Sequence, residues 1–316
     1  MKKIYHFSGA GNDFVVIDGR EGYVSAFREV PRIEALCQEF KTDGLMILGM
    51  PDQVGHDGGS TGTSTVMADP DRPSVDFTME FYNPDGSGGM MCGNGGRCIV
   101  AFADYLGVKP SCHPELAEGS YLFMAPDGLH TGEILERPSE GLWTVRIKMI
   151  DVQGITPMLG GYFLNTGTRH FVKFVEDVEQ VDVDAEGKAL RWNEAFAPIG
   201  TNVNFVHVAP DGLHVRTFEK GVEGETLACG TGLTASAIAA YEISRLRPAG
   251  SARNDKKSTK AEGDALVIST KAEGRVEKSY RLRARQDWLS VNFTPGADEK
   301  FTDVYLTGPA RLVEIH

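Results

Sequence analysis

Short apolar runs broken by turn residues dominate this chain, and only three stretches switch to the spacing of a helix. Ile4 to Asp18 reads as a strand, a turn at Gly9-Ala10-Gly11-Asn12-Asp13, and a second strand over Phe14-Val15-Val16-Ile17. Gly9-x-Gly11 leads into that β-branched run and not into a helix, which excludes a dinucleotide-binding fingerprint. Ile33, Leu36, Cys37 and Phe40 share a helical face, and Leu45 to Leu48 is a short buried strand. Residues 51–74 are rich in Gly, Ser, Thr, Asp and Pro and read as an exposed loop. Asp76 to Tyr82 is a strand closed by the turn Asn83-Pro84-Asp85-Gly86-Ser87. A helix follows, with Ile99, Phe102 and Leu106 on one face and Gly107 as its C-terminal cap. Residues 111–120 read as irregular, and Tyr121–Met124, Gly132–Leu135 and Trp143–Ile150 as a meander of strands.

The second half restarts the plan. Gly161 to Val172 resembles the strand–turn–strand of Phe7 to Val16, with Thr168 opposite Asn12. Strands at Asn202–His207 and Leu213–Glu219 lead into a third helix carrying Leu233, Ala237 and Ala240, which stops before Pro248. Residues 250–265 read as a polar loop, and strands from Ala265 to Val291 and from Tyr305 to Ile315 end the chain. Many strands, few helices and no regular βαβ alternation predict an α+β fold. Its two pseudo-symmetric β-rich halves each wrap a sheet around one central helix.

With 316 residues the chain is long enough for two ordinary domains. A formal charge of −12 repels phosphate backbones and anionic membranes, so neither nucleic acid nor membrane is an expected partner. Met1-Lys2-Lys3-Ile4 has no apolar run behind it, which argues against a signal peptide and for a cytoplasmic protein. Five cysteines, Cys37, Cys92, Cys98, Cys112 and Cys229, are too few and scattered for a disulfide framework or a zinc site. They are expected as free thiols, with no metal.

Two of the five share a grammar. Met91-Cys92-Gly93-Asn94-Gly95-Gly96-Arg97-Cys98 precedes one helix, and Ala228-Cys229-Gly230-Thr231-Gly232 precedes another. A helix N-terminus offers unpaired N–H groups and about half a positive charge. Glycines there let the backbone close on an anion, and a thiol in the same field is more acidic. Each element therefore supplies a thiolate and a carboxylate-sized anion site. Two of them can hold one small carboxylate between two thiols, a geometry for moving the proton on the adjacent carbon without a cofactor. A redox disulfide between Cys92 and Cys229 is the rival reading. Cys37, Cys98 and Cys112 lack trailing glycines and read as inert core thiols. Asn12 and Asn83 in turns, Asn202 at a strand start, and His170 and Glu219 on strands leading to the second element are weaker candidates. Each of these is open to a purely structural explanation.

These residues resemble the diaminopimelate epimerase family. The resemblance covers most of the chain and rests on Gly-Ala-Gly-Asn-Asp-Phe at 9–14, Asp-Gly-Leu at 43–45, Tyr-Asn-Pro-Asp-Gly-Ser at 82–87 and the two cysteine motifs. Thr-Asn-Val-Asn-Phe at 201–205 and Thr-Gly-Pro-Ala at 307–310 extend it. It implies a first half of 1–150 plus 306–316, a second half of 151–305, and an active site in the cleft between them. It implies Cys92 and Cys229 as the acid/base thiols, tuned by His170 and Glu219. The N–H groups of Gly93, Asn94, Gly230 and Thr231 would hold the reacting carboxylate, and Asn12, Gly44, Asn83 and Asn202 would bind substrate. The implied reaction is cofactor-independent interconversion of LL- and meso-diaminopimelate in lysine and peptidoglycan-precursor synthesis. The implied partner is a small-molecule amino acid. A homodimer, common among enzymes of this size, is an open alternative to a monomer.

Three departures fall on the non-reacting end of that substrate. The family's Asn-Pro-His is Thr168-Arg169-His170 here, its Glu-Arg-Gly is Glu219-Lys220-Gly221, and Phe40-Lys41-Thr42 replaces a glycine-rich lead-in to Asp43-Gly44. Lys does not grip a carboxylate as the forked Arg does. Thr168, Glu219 and Lys220 are therefore the expected distal contacts. A racemase of another amino acid, or less readily a non-catalytic binding or redox-switch protein, is the alternative.

Overall fold

The computed structural model describes residues 2–20, 24–51, 74–89, 91–114, 116–246, 267–272 and 275–316. The loops expected at 51–74 and 250–265 lie outside them, but for residues 51 and 74. The fold is α+β, and the chain divides into two compact units, Met1–Ile147 with Ala310–His316, and Lys148–Pro309.

In the first unit, strands Ile4–Gly9 and Asn12–Asp18 form a hairpin, and its first strand also pairs with the C-terminal segment, Tyr5 opposite Ile315. Helix α1 (Val30–Phe40) carries the chain to strand Gly44–Gly49, which runs parallel to Asn12–Asp18. Phe77–Tyr82 returns antiparallel, followed by helix α2 (Gly93–Tyr105) and the meander Ser120–Ala125, Gly128–Ser139 and Leu142–Lys148. Phe14, Val15, Val16 and Ile17 are all buried because both faces of that strand are covered. Val15 and Ile17 pack with Leu45 and Ile47 against Ile33, Leu36 and Cys37 of α1. The opposite face meets α2.

The second unit repeats the order. Gly161–Asn165 and Arg169–Phe174 form the hairpin, helix α3 (Val183–Arg191) follows, and Asn202–Ala209 runs parallel to the hairpin's second strand. Gly212–Glu219 returns antiparallel and helix α4 (Gly230–Leu246) comes next. Strands Val267–Ala272, Arg275–Arg283, Trp288–Pro295 and the first part of Phe301–Ile315 complete the sheet. Phe171, Val203, Phe205 and Phe218 pack outward with Val183 of α3, so α3 occupies the place that α1 has in the first unit.

Helix α2 departs from the one-sided pattern expected: every residue from Gly93 to Ala103 is buried, because the sheet curls around it on several sides. Helix α3 was not anticipated. Its signal is the cap Asp182, whose carboxylate accepts the Ala185 N–H at 3.0 Å, ahead of an otherwise weakly apolar stretch. Cys112 is a further correction: it is exposed in an irregular segment and not a core thiol. Cys37 and Cys98 are buried, and burial pushes both thiols up, which keeps them protonated and inert.

Gly9 is where α2 presses closest on the hairpin. A methyl group there would lie 2.8 Å from both the Asn94 carbonyl oxygen and the Cys98 sulfur. Gly9→Ala is therefore expected to cost about 1–3 kcal/mol of stability by overpacking. The effect should be read as a lower urea midpoint with an unchanged slope.

Candidate active site

Cys92 is the N-cap of α2, in extended conformation, exposed, and its sulfur accepts the Gly95 N–H at 3.2 Å. The thiol thus takes the place of the usual Ser or Asp and satisfies one of the helix's orphan donors. Gly95 cannot carry a side chain freely, since a methyl group would sit 3.3 Å from the Cys92 sulfur and 3.4 Å from Met46 Sδ. Asn94, the next motif residue, donates to Asn12 Oδ1 at 2.5 Å and accepts from Arg97 Nη2 at 2.8 Å. Arg97 is fully buried and also donates to the Gly93 carbonyl at 3.1 Å. A buried guanidinium one turn into the helix adds positive charge beside Cys92. Asn12, Asn94 and Arg97 therefore form one bonded group at the cysteine. Asn83 instead bonds inside its own turn, donating to Ser87 Oγ at 3.0 Å. Gly44 lies in the floor strand opposite Phe14, where a methyl group would meet the Tyr82 carbonyl oxygen at 2.7 Å.

Cys229 directly precedes α4 and is buried, with its sulfur 3.4 Å from Thr231 Oγ1. Thr231 Oγ1 lies 2.9 Å from His170 Nε2 and 3.2 Å from Thr168 Oγ1. Thr168 Oγ1 lies 2.9 Å from the same histidine nitrogen and accepts from Asn202 Nδ2 at 3.2 Å. Asn202 also donates to the Arg169 carbonyl at 3.0 Å and accepts the Lys220 N–H at 2.8 Å. Thr168 is thus turned into the protein's own network. Arg169 lies over the Phe163 ring at 5.1 Å, while Lys220 is exposed and Glu219 half-buried at a strand end.

His170 is fully buried, and burial holds its pKa down to about 3, so the ring is neutral. Beneath it Asn204 Nδ2 lies 3.0 Å from His170 Nδ1 and donates to the Phe171 carbonyl at 3.4 Å. Asn204 Oδ1 accepts from Thr217 Oγ1 at 3.0 Å. A methyl group on Gly232 would collide with Asn204 Oδ1, which explains the second glycine of Cys-Gly-Thr-Gly.

Sequence reasoning passed over Asn204, Thr217, Thr166, Arg97, Arg191 and Glu223. Asn204 was signalled by two-residue alternation with Asn202 along a buried strand. Thr166 Oγ1 donates to the Thr231 carbonyl at 2.8 Å. Arg191, buried at the end of α3, donates to Glu223 Oε1 at 3.1 Å and the Ile199 carbonyl at 3.2 Å. Glu223 Oε1 accepts the Gly221 N–H at 3.2 Å, and its own N–H bonds the Glu219 carbonyl at 2.9 Å. That pair fixes the backbone turn bearing Lys220.

Strand register matches the two units residue by residue. Phe14 opposes Gly44 as His170 opposes Asn202, and Met46 opposes Phe81 as Asn204 opposes Thr217. By the same count Asn83 corresponds to Glu219. The positions under Cys92 are therefore Phe14, Met46 and Phe81, and those under Cys229 are His170, Asn204 and Thr217.

The sequence profile of the family described as diaminopimelate epimerase matches residues 162–282. A protein of Chlorobaculum tepidum named diaminopimelate epimerase is 32% identical over 315 residues, covering 97% of each chain. One from Aquifex aeolicus with the same name is 39% identical over 254 residues, covering 76% of this chain and 81% of its own. Among solved structures, a hydroxyproline epimerase from Agrobacterium vitis superposes with a TM-score of 0.55 at 14% identity, covering all of this chain and 91% of that one. That likeness is one of fold.

The buried histidine makes stability depend on pH. The unfolded chain takes up a proton at His170 below its ordinary value of about 6.5, whereas the folded state does not until about 3. Between those values the unfolded state binds more protons, so stability falls as the pH drops, by about 1.4 kcal/mol per unit. From pH 7 to pH 5 this group should remove about 2 kcal/mol from the wild type, and nothing from His170→Gln. Urea unfolding of both proteins at the two pH values measures it.

Proposed function

Because the chain belongs to the diaminopimelate epimerase family, we propose that it interconverts LL- and meso-diaminopimelate by a two-thiol proton transfer at the α-carbon. The chain is an isomerase of the epimerase class. The observation that supports the finer reading is the repeated construction of a cysteine at a buried helix N-terminus, with its glycines held tight by neighbouring strands.

In this reading one cysteine is a thiolate and the other a thiol. The thiolate removes the α-hydrogen as a proton from one face, leaving a carbanion conjugated with the adjacent carboxylate. The thiol returns its own proton to the opposite face, configuration inverts, and the two sulfurs have exchanged roles. The backbone N–H groups of Gly93, Asn94, Gly230 and Thr231 hold the carboxylate and stabilise the charge that develops on it. No electrons change hands. Asn12, Gly44, Asn83 and Asn202 stand for substrate contacts. Asn202 would serve through the turn it pins, since its amide already bonds Thr168, Arg169 and Lys220. Lys220, exposed on the Glu219–Glu223 turn, is the basic group proposed for the distal end of the substrate. The product would enter lysine and peptidoglycan-precursor synthesis in the cytoplasm. Among the described residues no helix is long and apolar enough to cross a membrane.

Two measurements test this. In deuterated water, LL-diaminopimelate should acquire deuterium at its α-carbon in the presence of the protein. Exchange with another amino acid and none with diaminopimelate would replace the substrate. Cys92→Ala and Cys229→Ala should each lower the epimerisation rate at least about a hundredfold, the usual worth of a positioned acid or base. Full turnover in either variant would eliminate the two-thiol mechanism.

A further inference from the structure

The floor beneath Cys229 is a chain of hydrogen bonds whose direction can be worked out from its fixed end. Asn204 Oδ1 accepts the Thr217 hydroxyl, and Asn204 Nδ2 donates to the Phe171 carbonyl, so the amide nitrogen is the atom that faces His170 Nδ1 at 3.0 Å. An NH2 group can only donate. His170 Nδ1 is therefore the acceptor, and the proton of the neutral ring sits on Nε2. That N–H faces Thr231 Oγ1 and Thr168 Oγ1, both at 2.9 Å. Thr168 Oγ1 already accepts from Asn202 Nδ2, and its own hydrogen cannot go to a protonated Nε2. The protein acceptor within its reach is Thr231 Oγ1 at 3.2 Å. Donors thus converge on the Thr231 oxygen, whose hydrogen is left to point at the Cys229 sulfur at 3.4 Å.

We propose that Thr231, through its hydroxyl, is a positioning donor held on the Cys229 sulfur by a one-way chain from Asn204 through His170, and that this chain stabilises the Cys229 thiolate. Asn204 and His170 act at a distance: they orient the donor and never exchange a proton with substrate. The histidine is used as a neutral, fixed tautomer, in keeping with its complete burial and the absence of any need to charge it. In the first unit the corresponding positions are Phe14, Met46 and Phe81, which cannot build such a chain. The two thiols are thereby made chemically unequal although their Cys-Gly-x-Gly motifs are alike. The glycine at 232 belongs to the device, because any side chain there would displace the Asn204 amide.

The catalytic meaning of the chain rests on Cys229 being one of the acid/base thiols, whereas the chain itself can be tested without substrate. The nitrogen-15 spectrum of the wild-type protein should show His170 as the Nε2–H tautomer with Nδ1 as an acceptor; the opposite tautomer would overturn the proposal. Iodoacetamide alkylation of the resting protein, read peptide by peptide, provides the second arm, with Cys92 as the internal reference. Thr231→Val keeps the size of the side chain and the backbone N–H but removes the donor. It should slow alkylation of Cys229 about tenfold, the worth of one hydrogen bond to a charged acceptor. Thr231→Ser should restore the wild-type rate. Equal rates in wild type and Thr231→Val, or a Ser variant as slow as the Val variant, would sink the idea. If Cys229 follows the expected pattern while diaminopimelate shows no α-exchange, the chain stands and the substrate reading falls.

Discussion

A helix that begins inside a protein must find partners for the N–H groups of its first turn, and that requirement shapes both units of this molecule. Buried and unpaired, those donors would each cost on the order of 1–3 kcal/mol. In the first unit Cys92 accepts one of them and Arg97 ties the opening turn to Asn94. The glycines at 95 and 96 sit in the crowding this creates: a methyl group would lie 3.3 Å from the Cys92 sulfur at the first and 2.8 Å from Met91 Sδ at the second. A helix start crowded against strands has no room for Cβ atoms, and the strands in turn supply residues such as Gly9 that let the turn approach. A helix start is the kind of place where backbone donors suit an anion.

The two units share a scaffold and differ in what lines it. Outward, each packs an apolar sheet face against a helix, Ile33 and Leu36 of α1 in one case and Val183 of α3 in the other. Inward, the sheet face beneath α2 is aromatic and aliphatic, whereas the face beneath α4 carries His170, Asn204 and Thr217. Polar groups so deeply buried are tolerable only when fully bonded. The buried Thr217, Asn204 and His170 meet that condition, the histidine through the half-buried Thr231 and the exposed Thr168. Removing one member strands its neighbours, which ties the surroundings of Cys229 to the stability of the second unit.

Thr168 and Lys220 gain a physical context from the same network. The Thr168 hydroxyl is committed to His170, Thr231 and Asn202, so a residue expected to read substrate is occupied with the protein's own groups. Lys220 projects from a turn whose backbone is pinned at Asn202 and, through Glu223, at Arg191. Under the proposed function, the distal end of a substrate would meet a fixed backbone with an exposed ammonium group. It would not meet the forked guanidinium common in the family.

The sequence alone determined the α+β class, the internal repeat, most of the strands and the two helix starts that follow Cys92 and Cys229. Those features rest on local physics: two-residue alternation, glycine and proline at turns, and a cysteine followed by glycines ahead of an apolar run. Tertiary structure alone decided the rest. Nothing near His170 in the chain reveals that Asn204 lies under its ring, because parallel strands bring them together across 34 residues. Arg97 and Arg191 carry no local mark of the burial that the fold gives them, and α3 lacks the apolar stripe that would announce it. Periodicity specifies which face of a strand is buried, but the register between distant strands specifies which polar groups meet there. The difference between the two thiols is therefore a property of the folded sheet.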